Sequence, residues 1–485
     1  MPPRPAVVAS LMASLVAALP AALPAVLAAV PAVAAPDGLP VTVLTERSGP
    51  AAASGTPLAN GLSDYLTMLD RRDGGVGGIP LAVEECETGG EAARVTACYE
   101  AALARGSIAV VPGSADAALA LLPRLPADRM PLVSSGYGPA AMARGDALPW
   151  AFAPPVTVWG ALAAAIIHLS QDGSEGNPLG RSLAYMYRDS PAGREPVPVL
   201  RALAAEAGLE FRAHALPDQA PNGNEARSSD PLRDPLPVPS PDPWRTARAA
   251  DPDYVILDAT AGLTGTPLRD AAAAGFPLNR VVAVGWTGED DLLRPSGGTR
   301  DLTAKGLRLV TWHALGDSFP AFDQIDLLVV DAGLSRTPKD ESAGPLYNRG
   351  VYAGVILAEG IRNAQGLAGR ARIDGPEMRR GLEAINLDPV RWKELGLVGF
   401  TRRLRLTCAD HSGHRPVTIQ EWTGARWVQV GDEIPVPRER LGSHLDDAVA
   451  AYAERAATGT GSAAAGPQET GARESGAKEA CPARP

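Results

Sequence analysis

The sequence predicts an α/β fold built on parallel β-sheets. Short apolar runs that read as buried strands alternate with longer segments whose apolar residues recur at helical spacing. In the first such unit, Leu62, Leu66 and Leu69 lie on one helical face between apolar runs at residues 41–44 and 79–84. Strand–helix–strand units of this kind pair their strands in parallel. Because ligands bind at the carboxyl ends of parallel strands, the loops that follow them are the first candidates for function.

The same alternation continues along most of the chain and changes near its end. The predicted strands are residues 41–44, 79–84, 108–111, 130–134, 183–187, 209–215, 254–257, 281–284 and 307–312. Beyond the first helix and a second that ends near residue 103, the predicted helices are residues 115–122, 158–169, 197–207, 268–274, 351–361 and 376–385. Strands at 417–422 and 426–430 flank a Thr423-Gly424 turn, which predicts an antiparallel hairpin.

Residues 1–34 have the composition of a cleavable export signal. Arg4 is their only charged residue, an apolar stretch follows it, and Ala32-Val33-Ala34 supplies small residues for cleavage. Prolines within the stretch disfavour a transmembrane helix. No later segment reaches the roughly 18 apolar residues that a membrane span requires. We therefore expect the mature protein to be soluble in the periplasm.

The charge balance limits the possible partners. A formal net charge of −10, with no dense cluster of lysines and arginines, argues against nucleic acids and anionic membranes. We expect no nucleic-acid partner, no direct membrane insertion and a monomer. Two polar stretches without periodicity, residues 217–243 and 455–485, are predicted to be a disordered loop insertion and a disordered tail.

The cysteines bear on the compartment. Cys86 ends the second predicted strand and Cys98 lies in the following helix, so the two can lie side by side. A disulfide between them suits an oxidising compartment and contributes about 3 kcal/mol to stability. The alternative is a pair of free thiols. The pairing of Cys408 with Cys481 stays open, because Cys481 falls in the predicted tail.

Signatures of catalysis are few. The chain contains no nucleophile elbow, no H-E-x-x-H motif and no phosphate-binding P-loop. Cys408, His411 and His414 are three possible metal ligands in one short segment, but a structural zinc site usually requires a fourth at suitable spacing. We therefore predict no metal, no cofactor, no catalytic residue and no enzyme. A metal-dependent hydrolase that uses this segment is the least favoured alternative.

Short segments spread along the chain match a known pattern. They are Asn60-Gly-Leu-Ser-Asp-Tyr, Arg72-Asp-Gly-Gly-Val-Gly-Gly, Glu84-Glu-Cys-Glu-Thr, Pro131-Leu-Val-Ser-Ser-Gly-Tyr-Gly, Arg188-Asp-Ser-Pro-Ala-Gly-Arg-Glu, Tyr347-Asn-Arg-Gly-Val and Gly381-Leu-Glu-Ala-Ile-Asn-Leu. In this order, over residues 40–431, they resemble the branched-chain amino acid type of ABC-transporter substrate-binding protein.

The resemblance implies a type I periplasmic binding fold, in which two α/β lobes with mainly parallel sheets enclose a ligand cleft. Three crossovers join the lobes, and we place them near Pro154, Trp312 and Arg370. The implied N-terminal lobe comprises residues 36–153 and 313–370. The implied C-terminal lobe comprises residues 154–312 and 371–450 and carries the hairpin.

The resemblance also implies that loops at strand ends line the cleft. The predicted ligand-binding residues are Ser48, Ser54, Ser114, Ser135, Gly136, Tyr137, Tyr187, Asp189, Trp286 and Glu289. Serine hydroxyls and helix N-termini suit a ligand carboxylate, Asp189 or Glu289 suits an ammonium, and aromatic rings suit an apolar body. Ala192 stands where the family usually has a tyrosine, and the loop at 257–262 lacks an aromatic residue. These two departures leave three alternatives to an amino acid: a larger ligand, a ligand of another class, or an accessory role without a ligand.

The predicted function is capture of a small polar or carboxylate-bearing solute, such as an amino acid, an amide or an aromatic acid. The partner of such a protein is an ABC permease in the inner membrane, on which the ligand-closed form docks. A ligand-sensing partner of a membrane receptor is the alternative, and the sequence does not distinguish the two because both use the same lobe closure.

Overall fold

The computed structural model describes residues 38–171, 180–216, 242–260, 262–263, 265–293, 303–339 and 342–458, together with Cys481. The predicted export signal lies outside this part of the chain, as do residues 217–241 of the predicted insertion and residues 459–480 and 482–485 of the predicted tail. Asp242 and Pro243, which the prediction assigned to the insertion, begin a helix instead. In the described ranges, no helix combines the length and apolar character of a membrane span.

The first sheet is entirely parallel. Its strands are β1 (Leu39–Thr45), β2 (Leu81–Glu87), β3 (Ala109–Val111), β4 (Leu132–Val133) and β5 (Ala151–Phe152). They lie in the order β2-β1-β3-β4-β5. The intervening helices are α1 (Ala52–Asp73), α2 (Ala92–Ala104), α3 (Ala115–Leu121) and α4 (Leu125–Asp128). β3 is buried along its whole length, as expected of a central strand covered on both faces.

The second sheet is parallel except at one edge. The later strands are β6 (Ser182–Arg188), β7 (Glu210–Leu216), β8 (Tyr254–Asp258), β9 (Val281–Val284), β10 (Arg308–Thr311), β11 (Asn386–Leu387), β12 (Leu404–Arg405), β13 (Val417–Trp422) and β14 (Trp427–Ile434). The second sheet has the order β14-β13-β10-β9-β8-β6-β7, and β11 pairs separately with β12. β13 and β14 pair antiparallel, and β13 also joins β10 antiparallel. The mainly parallel α/β architecture is therefore confirmed.

The remaining helices follow the first sheet along the chain, and some of them pack on the second sheet and others on the helices of the first. They are α5 (Val158–Gln171), α6 (Pro191–Arg194), α7 (Val197–Glu206), α8 (Pro243–Ala250), α9 (Pro267–Ala273), α10 (Pro320–Ile325), α11 (Pro345–Ala368), α12 (Gly375–Glu383), α13 (Pro389–Glu394) and α14 (Arg438–Thr458). Single helical turns occur at Ala140–Ala143, Leu278–Arg280, Asp290–Leu293 and Asp326–Val330. α14 extends to Thr458, so the predicted start of the disordered tail at residue 455 falls inside a helix.

The contacts of residues 375–411 differ from the predicted lobe boundaries, which put this segment in the second lobe. α12 packs on α11, which packs along α1. A Cβ atom on Gly375 would lie 2.8 Å from the carbonyl oxygen of Arg129, and the backbone N–H of His411 donates to the carbonyl of Ala143 at 3.1 Å. The segment therefore contacts elements of the first sheet. The chain returns to the second sheet only before β13, well after the predicted crossing near Arg370.

The helices α1 and α11 approach closely because small residues face each other at their crossing. A Cβ atom on Gly61 would lie 2.0 Å from the carbonyl oxygen of Tyr347, and one on Gly350 would lie 2.1 Å from that of Leu58. Any side chain there would overlap the backbone of the other helix. The two glycines thus set the distance between these helices.

Two disulfides are present. Cys86, in β2, is bonded to Cys98, in α2, with the Cα atoms 5.8 Å apart. This confirms the predicted pair and excludes the free-thiol alternative. Cys408 is bonded to Cys481, a pairing that the sequence left open. The second bond joins the segment after β12 to the end of the chain.

Candidate functional site

Loops at the carboxyl ends of the two sheets contact each other directly. Residues 51–54 follow β1, whereas Gly262 follows β8 and Gly288 follows β9. A Cβ atom on Gly288 would lie 2.5 Å from the carbonyl oxygen of Ala53, and one on Gly262 would lie 3.5 Å from the Cβ atom of Ala51. The lobes therefore meet along the edge where ligands bind in parallel α/β sheets.

Asp116 links the two lobes a short distance from this contact. It lies in the first turn of α3, and its Oδ1 accepts a 2.8 Å hydrogen bond from the backbone N–H of Ala192 in α6. Its Oδ2 lies 3.5 Å from an Nη1 atom of Arg188, at the end of β6. A carboxylate of the first lobe is thus held by a helix N–H and a guanidinium of the second, an interaction of the charge-assisted kind.

Glu46 is a buried acid at the same edge. It follows β1 directly and is only 3% exposed. The hydroxyl of Ser114 hydrogen-bonds its carboxylate, whereas its Oε1 atom is buried without a hydrogen-bond partner among the described residues. Burial raises the pKa of Glu46, and the bond from Ser114 and the charge of Arg188 only partly oppose that rise.

A small cavity lies beside Glu46, at the carboxyl ends of β1 and β3. Leu58 and Leu62 of α1 and Val111 of β3 form an apolar part of its wall, and Glu46 and Ser135 contribute polar groups. Its volume is about 10 Å³, which is room for about one water molecule. Ser135 is 3% exposed, and its hydroxyl oxygen has no hydrogen-bond partner among the described residues. Two buried polar atoms without partners therefore belong to residues that line one cavity.

The serines predicted in the first lobe lie in different environments. Ser114 and Ser135 are at the cavity, as described above. Ser54 touches the second lobe, because a Cβ atom on Gly262 would lie 3.6 Å from its Oγ. Ser48 lies away from them, where its hydroxyl donates to Glu87 at 2.7 Å in an exposed position.

Gly136 and Tyr137 are contacts between the lobes close to β10. A Cβ atom on Gly136 would lie 2.5 Å from the indole ring of Trp312, so only glycine fits there. The Tyr137 hydroxyl donates to the carbonyl oxygen of Val310 at 3.0 Å. The guanidinium of Arg349 lies 5.1 Å from the centre of the Tyr137 ring. The Tyr137 side chain is thus buried between protein groups.

The residues predicted in the second lobe have protein partners of their own. Tyr187 stacks on Tyr185 with ring centres 5.4 Å apart, and its hydroxyl has no partner among the described residues. Asp189 accepts from Nε of Arg194 at 2.7 Å. Trp286 is buried, and its Nε1–H donates to Asp290 at 2.9 Å.

Glu289 forms hydrogen bonds with a helix terminus. Its carboxylate accepts from the backbone N–H groups of Leu268 at 2.9 Å and Arg269 at 3.1 Å, in the first turn of α9. Burial raises its pKa, while these two hydrogen bonds lower it. A carboxylate at a helix N-terminus satisfies N–H groups that have no partner within the helix. The ammonium-binding role that we predicted for Glu289 competes with this capping role.

Sequence reasoning did not select Glu46, Asp116 or Arg188. The sequence does mark Glu46 and Arg188, because each is a charged residue at the carboxyl end of an apolar strand. Asp116 has no such signal, since its partners lie in a different lobe and far along the chain. Ser114, which was predicted, is hydrogen-bonded to Glu46, which was not. The sequence therefore located the correct edge of the sheet but not the acidic residue that lies there.

The three candidate metal ligands are directed to separate partners. Cys408 forms a disulfide and therefore supplies no thiolate. His411 is buried, its Nδ1 lies 2.8 Å from the carbonyl oxygen of Ala151, and its ring stacks on Phe152. His414 lies 3.1 Å from a carboxylate oxygen of Asp410. In the part of the chain that the structure describes, no group of three or more acidic, histidine or cysteine side chains is arranged to hold a metal ion.

Comparisons with known proteins agree with this architecture. Residues 38–426 match the model of a family described as periplasmic binding protein. A structure from the Pseudomonas fluorescens group, described as an ABC transporter permease, is 29% identical with a TM-score of 0.70, covering 86% of this chain and 97% of its own. A comparison with curated proteins finds no match.

Two more distant structures share the fold. One is a branched-chain amino acid ABC transporter from Thermus thermophilus with bound valine, 19% identical, with a TM-score of 0.64 over 83% of this chain and 98% of that one. The other is an ABC-transporter solute binding protein from R. palustris in complex with benzoate, 16% identical, with a TM-score of 0.57 over 82% of this chain and 97% of that one.

Proposed function

Because the chain belongs to the periplasmic binding protein family, and is a solute-binding protein as that family is, we propose that it captures a small polar solute between its two lobes for an ABC importer. The proposal includes export to the periplasm and docking of the closed form on a permease of the inner membrane. Binding would shift an equilibrium between open and closed lobes toward the closed form.

The observation that carries the proposal is the meeting of the two sheets at their carboxyl ends. Loops that follow β1, β3, β6, β8 and β9 converge there, and Asp116 bridges the lobes through Ala192 and Arg188. The cavity and two polar atoms without described partners lie at the same edge. A solute enclosed there would touch both lobes and so favour the closed arrangement.

The chemistry of the solute does not follow from the fold, because one fold accommodates many ligands. The similar structures illustrate this, since one of them holds valine and another holds benzoate. The predicted ligand residues Ser114 and Ser135, which lie at the cavity, are retained in the proposal. Ser54, Gly136 and Tyr137 are retained as contacts between the lobes that form or break as the cleft closes and opens.

A thermal-shift screen tests solute capture. The mature chain is heated with amino acids, amides, amines, aromatic acids and aliphatic acids, each at a concentration far above the affinity sought. A ligand at a hundred times its Kd raises the unfolding free energy by about 2.7 kcal/mol, which corresponds to a rise in Tm of roughly 3 °C in a chain of this size. A rise with one chemical class supports the proposal, and no rise with any class argues against it.

A further inference from the structure

We propose that Glu46 and Ser135 recognise an N–H donor group of the solute, so that the protein binds an amine or an amide in preference to a carboxylate. This inference rests on the proposed solute capture and names the chemical class that the same cleft selects. It departs from the sequence-based expectation, in which serines bind a ligand carboxylate.

The Glu46 carboxylate has hydrogen-bonding capacity that the protein does not use. A carboxylate has two oxygen atoms and several acceptor positions, and it donates nothing while ionised. The Ser114 hydroxyl uses part of that capacity, and Oε1 is buried without a partner among the described residues. Leaving a buried acceptor unsatisfied is unfavourable, so a ligand that donates an N–H to Oε1 gains by removing this cost.

Glycines pack closely around the Glu46 carboxylate. A Cβ atom on Gly90 would lie 3.8 Å from Oε2 and 4.0 Å from Oε1 of Glu46, in contact with the acid group itself. One on Gly113 would lie 3.3 Å from the Cγ atom of Glu46. One on Gly113 would also lie 2.7 Å from the carbonyl oxygen of Leu44, whereas one on Gly90 would make only ordinary contact. Glu46 is 3% exposed, so a solute reaches its carboxylate only when the surrounding residues move apart.

The cavity next to Glu46 adds a second polar group and an apolar wall. Ser135 lines the cavity with Glu46, and its hydroxyl can accept from the same donor group or donate to a neighbouring carbonyl of the ligand. Leu58, Leu62 and Val111 offer an apolar surface to the rest of the solute. The cavity has room for about one water molecule and is lined by residues of the first lobe alone, so a solute binds there only if these residues move apart.

The charged groups around Glu46 disfavour an anionic ligand. Glu87, Asp116 and Arg188 are the charged groups that act on the Glu46 carboxyl group. Two of these three are acidic, and the single cation also faces Asp116 at 3.5 Å. A ligand carboxylate placed beside Glu46 would add a further negative charge to a poorly solvated site, where like charges repel strongly. An ammonium neutralises Glu46, and an amide N–H hydrogen-bonds it without adding charge.

Matched compounds test the inference. Isobutylamine, isobutyramide and isobutyrate share one branched apolar body and differ only in the polar end. They are added to the mature protein in the thermal-shift assay and titrated by calorimetry. We expect the amine or the amide to raise Tm and isobutyrate to leave it unchanged. The amine and amide arms separate a cationic from a neutral N–H donor.

Variants then identify the residue responsible. Glu46→Gln keeps the size of the side chain and removes the charge, and it should weaken binding of the amine or amide about tenfold or more. Ser135→Ala should weaken it by a smaller factor and serves as the second variant if Glu46→Gln does not fold. The control is Glu84→Gln, the same change at a half-buried residue of β2 that pairs with Arg105 outside the cleft, and it should leave binding unchanged.

The outcomes separate the two proposals. A rise in Tm with isobutyrate alone overturns the inference, and so does binding of a carboxylate from the wider screen with no response to the amine or amide. Equal affinity of wild type and both cavity variants overturns it as well. In each of these cases solute capture still stands. If no compound of the wider screen raises Tm, solute capture itself fails.

Discussion

At the residue scale, His313 shows how burial sets the chemistry of a single side chain. It lies just after β10, is 6% exposed, and its Nδ1 is 2.9 Å from the carbonyl oxygen of Ala314. Its ring packs against the rings of Trp312 and Phe400. Burial lowers the pKa of His313 to about 4, because an imidazolium there would lose most of its hydration.

The lowered pKa makes folding sensitive to acid. An unfolded histidine has a pKa of about 6.5, so between that pH and pH 4 the unfolded chain binds a proton that the folded chain does not. The contribution of neutral His313 to stability is therefore complete above pH 6.5 and is lost as the pH falls, by up to about 3 kcal/mol.

Replacement of His313 by phenylalanine should remove this pH dependence. At pH 8 the variant should be less stable by about 1 kcal/mol, because it lacks the hydrogen bond to Ala314. At pH 4.5 the difference should vanish or change sign, since the wild type alone has a histidine to protonate here. Urea unfolding of both proteins at the two pH values measures this. An equal difference at both would show that His313 is not responsible.

At the element scale, the crossing of α1 and α11 depends on the absence of side chains at Gly61 and Gly350. Gly61→Ala should cost roughly 1–3 kcal/mol of unfolding free energy, because a methyl group would overlap the Tyr347 carbonyl and push the helices apart. The matched control is Gly366→Ala in α11, where an added Cβ has no neighbour within 4 Å.

The control should move in the other direction. Alanine is the better helix former, so Gly366→Ala should stabilise the protein by about 0.5–1 kcal/mol. Both variants are compared with wild type by urea unfolding. Similar effects of the two changes would mean that helix propensity, rather than the close crossing, governs both positions.

The Cys86–Cys98 disulfide is a second device at this scale, since it ties the end of β2 to α2. Its short loop, with a sequence separation of 12, constrains the unfolded chain. The double variant Cys86→Ala/Cys98→Ala should therefore lose about 3 kcal/mol of unfolding free energy. The measurement is denaturant unfolding under non-reducing conditions, and an unchanged midpoint would contradict the expectation.

At the scale of the whole molecule, Asp116 links the two lobes across the cleft. Asp116→Asn keeps an acceptor for the Ala192 N–H but loses the charge facing Arg188. The closed form should lose about 1 kcal/mol relative to the open form, so solute affinity should fall about fivefold. The radius of gyration from small-angle X-ray scattering should rise.

A second variant with the same chemical change serves as the control. Asp146→Asn removes a carboxylate that is paired with Arg144 in the same lobe, away from the loops of the second lobe. That variant should scatter and bind as the wild type does. If both variants change scattering or affinity alike, the link through Asp116 does not control closure.

Local patterns in the sequence were sufficient for much of the fold. The positions of most strands, the mainly parallel sheets and the Cys86–Cys98 pair followed from periodicity, spacing and a family resemblance that the comparisons confirm. Two elements were not predicted. β5 has only two residues, too few to show any periodicity, and α14 has a composition similar to that of the stretch next to it.

The sequence by itself determined which segments become strands and helices, because the spacing of apolar residues is a local property and differs between the two kinds of element. Only the tertiary structure decided which side chains meet across the cleft. Asp116 and Ala192 are far apart along the chain, and Glu289 caps α9 because folding brings a helix N-terminus to it. Such contacts depend on how two lobes face each other, which no local pattern encodes.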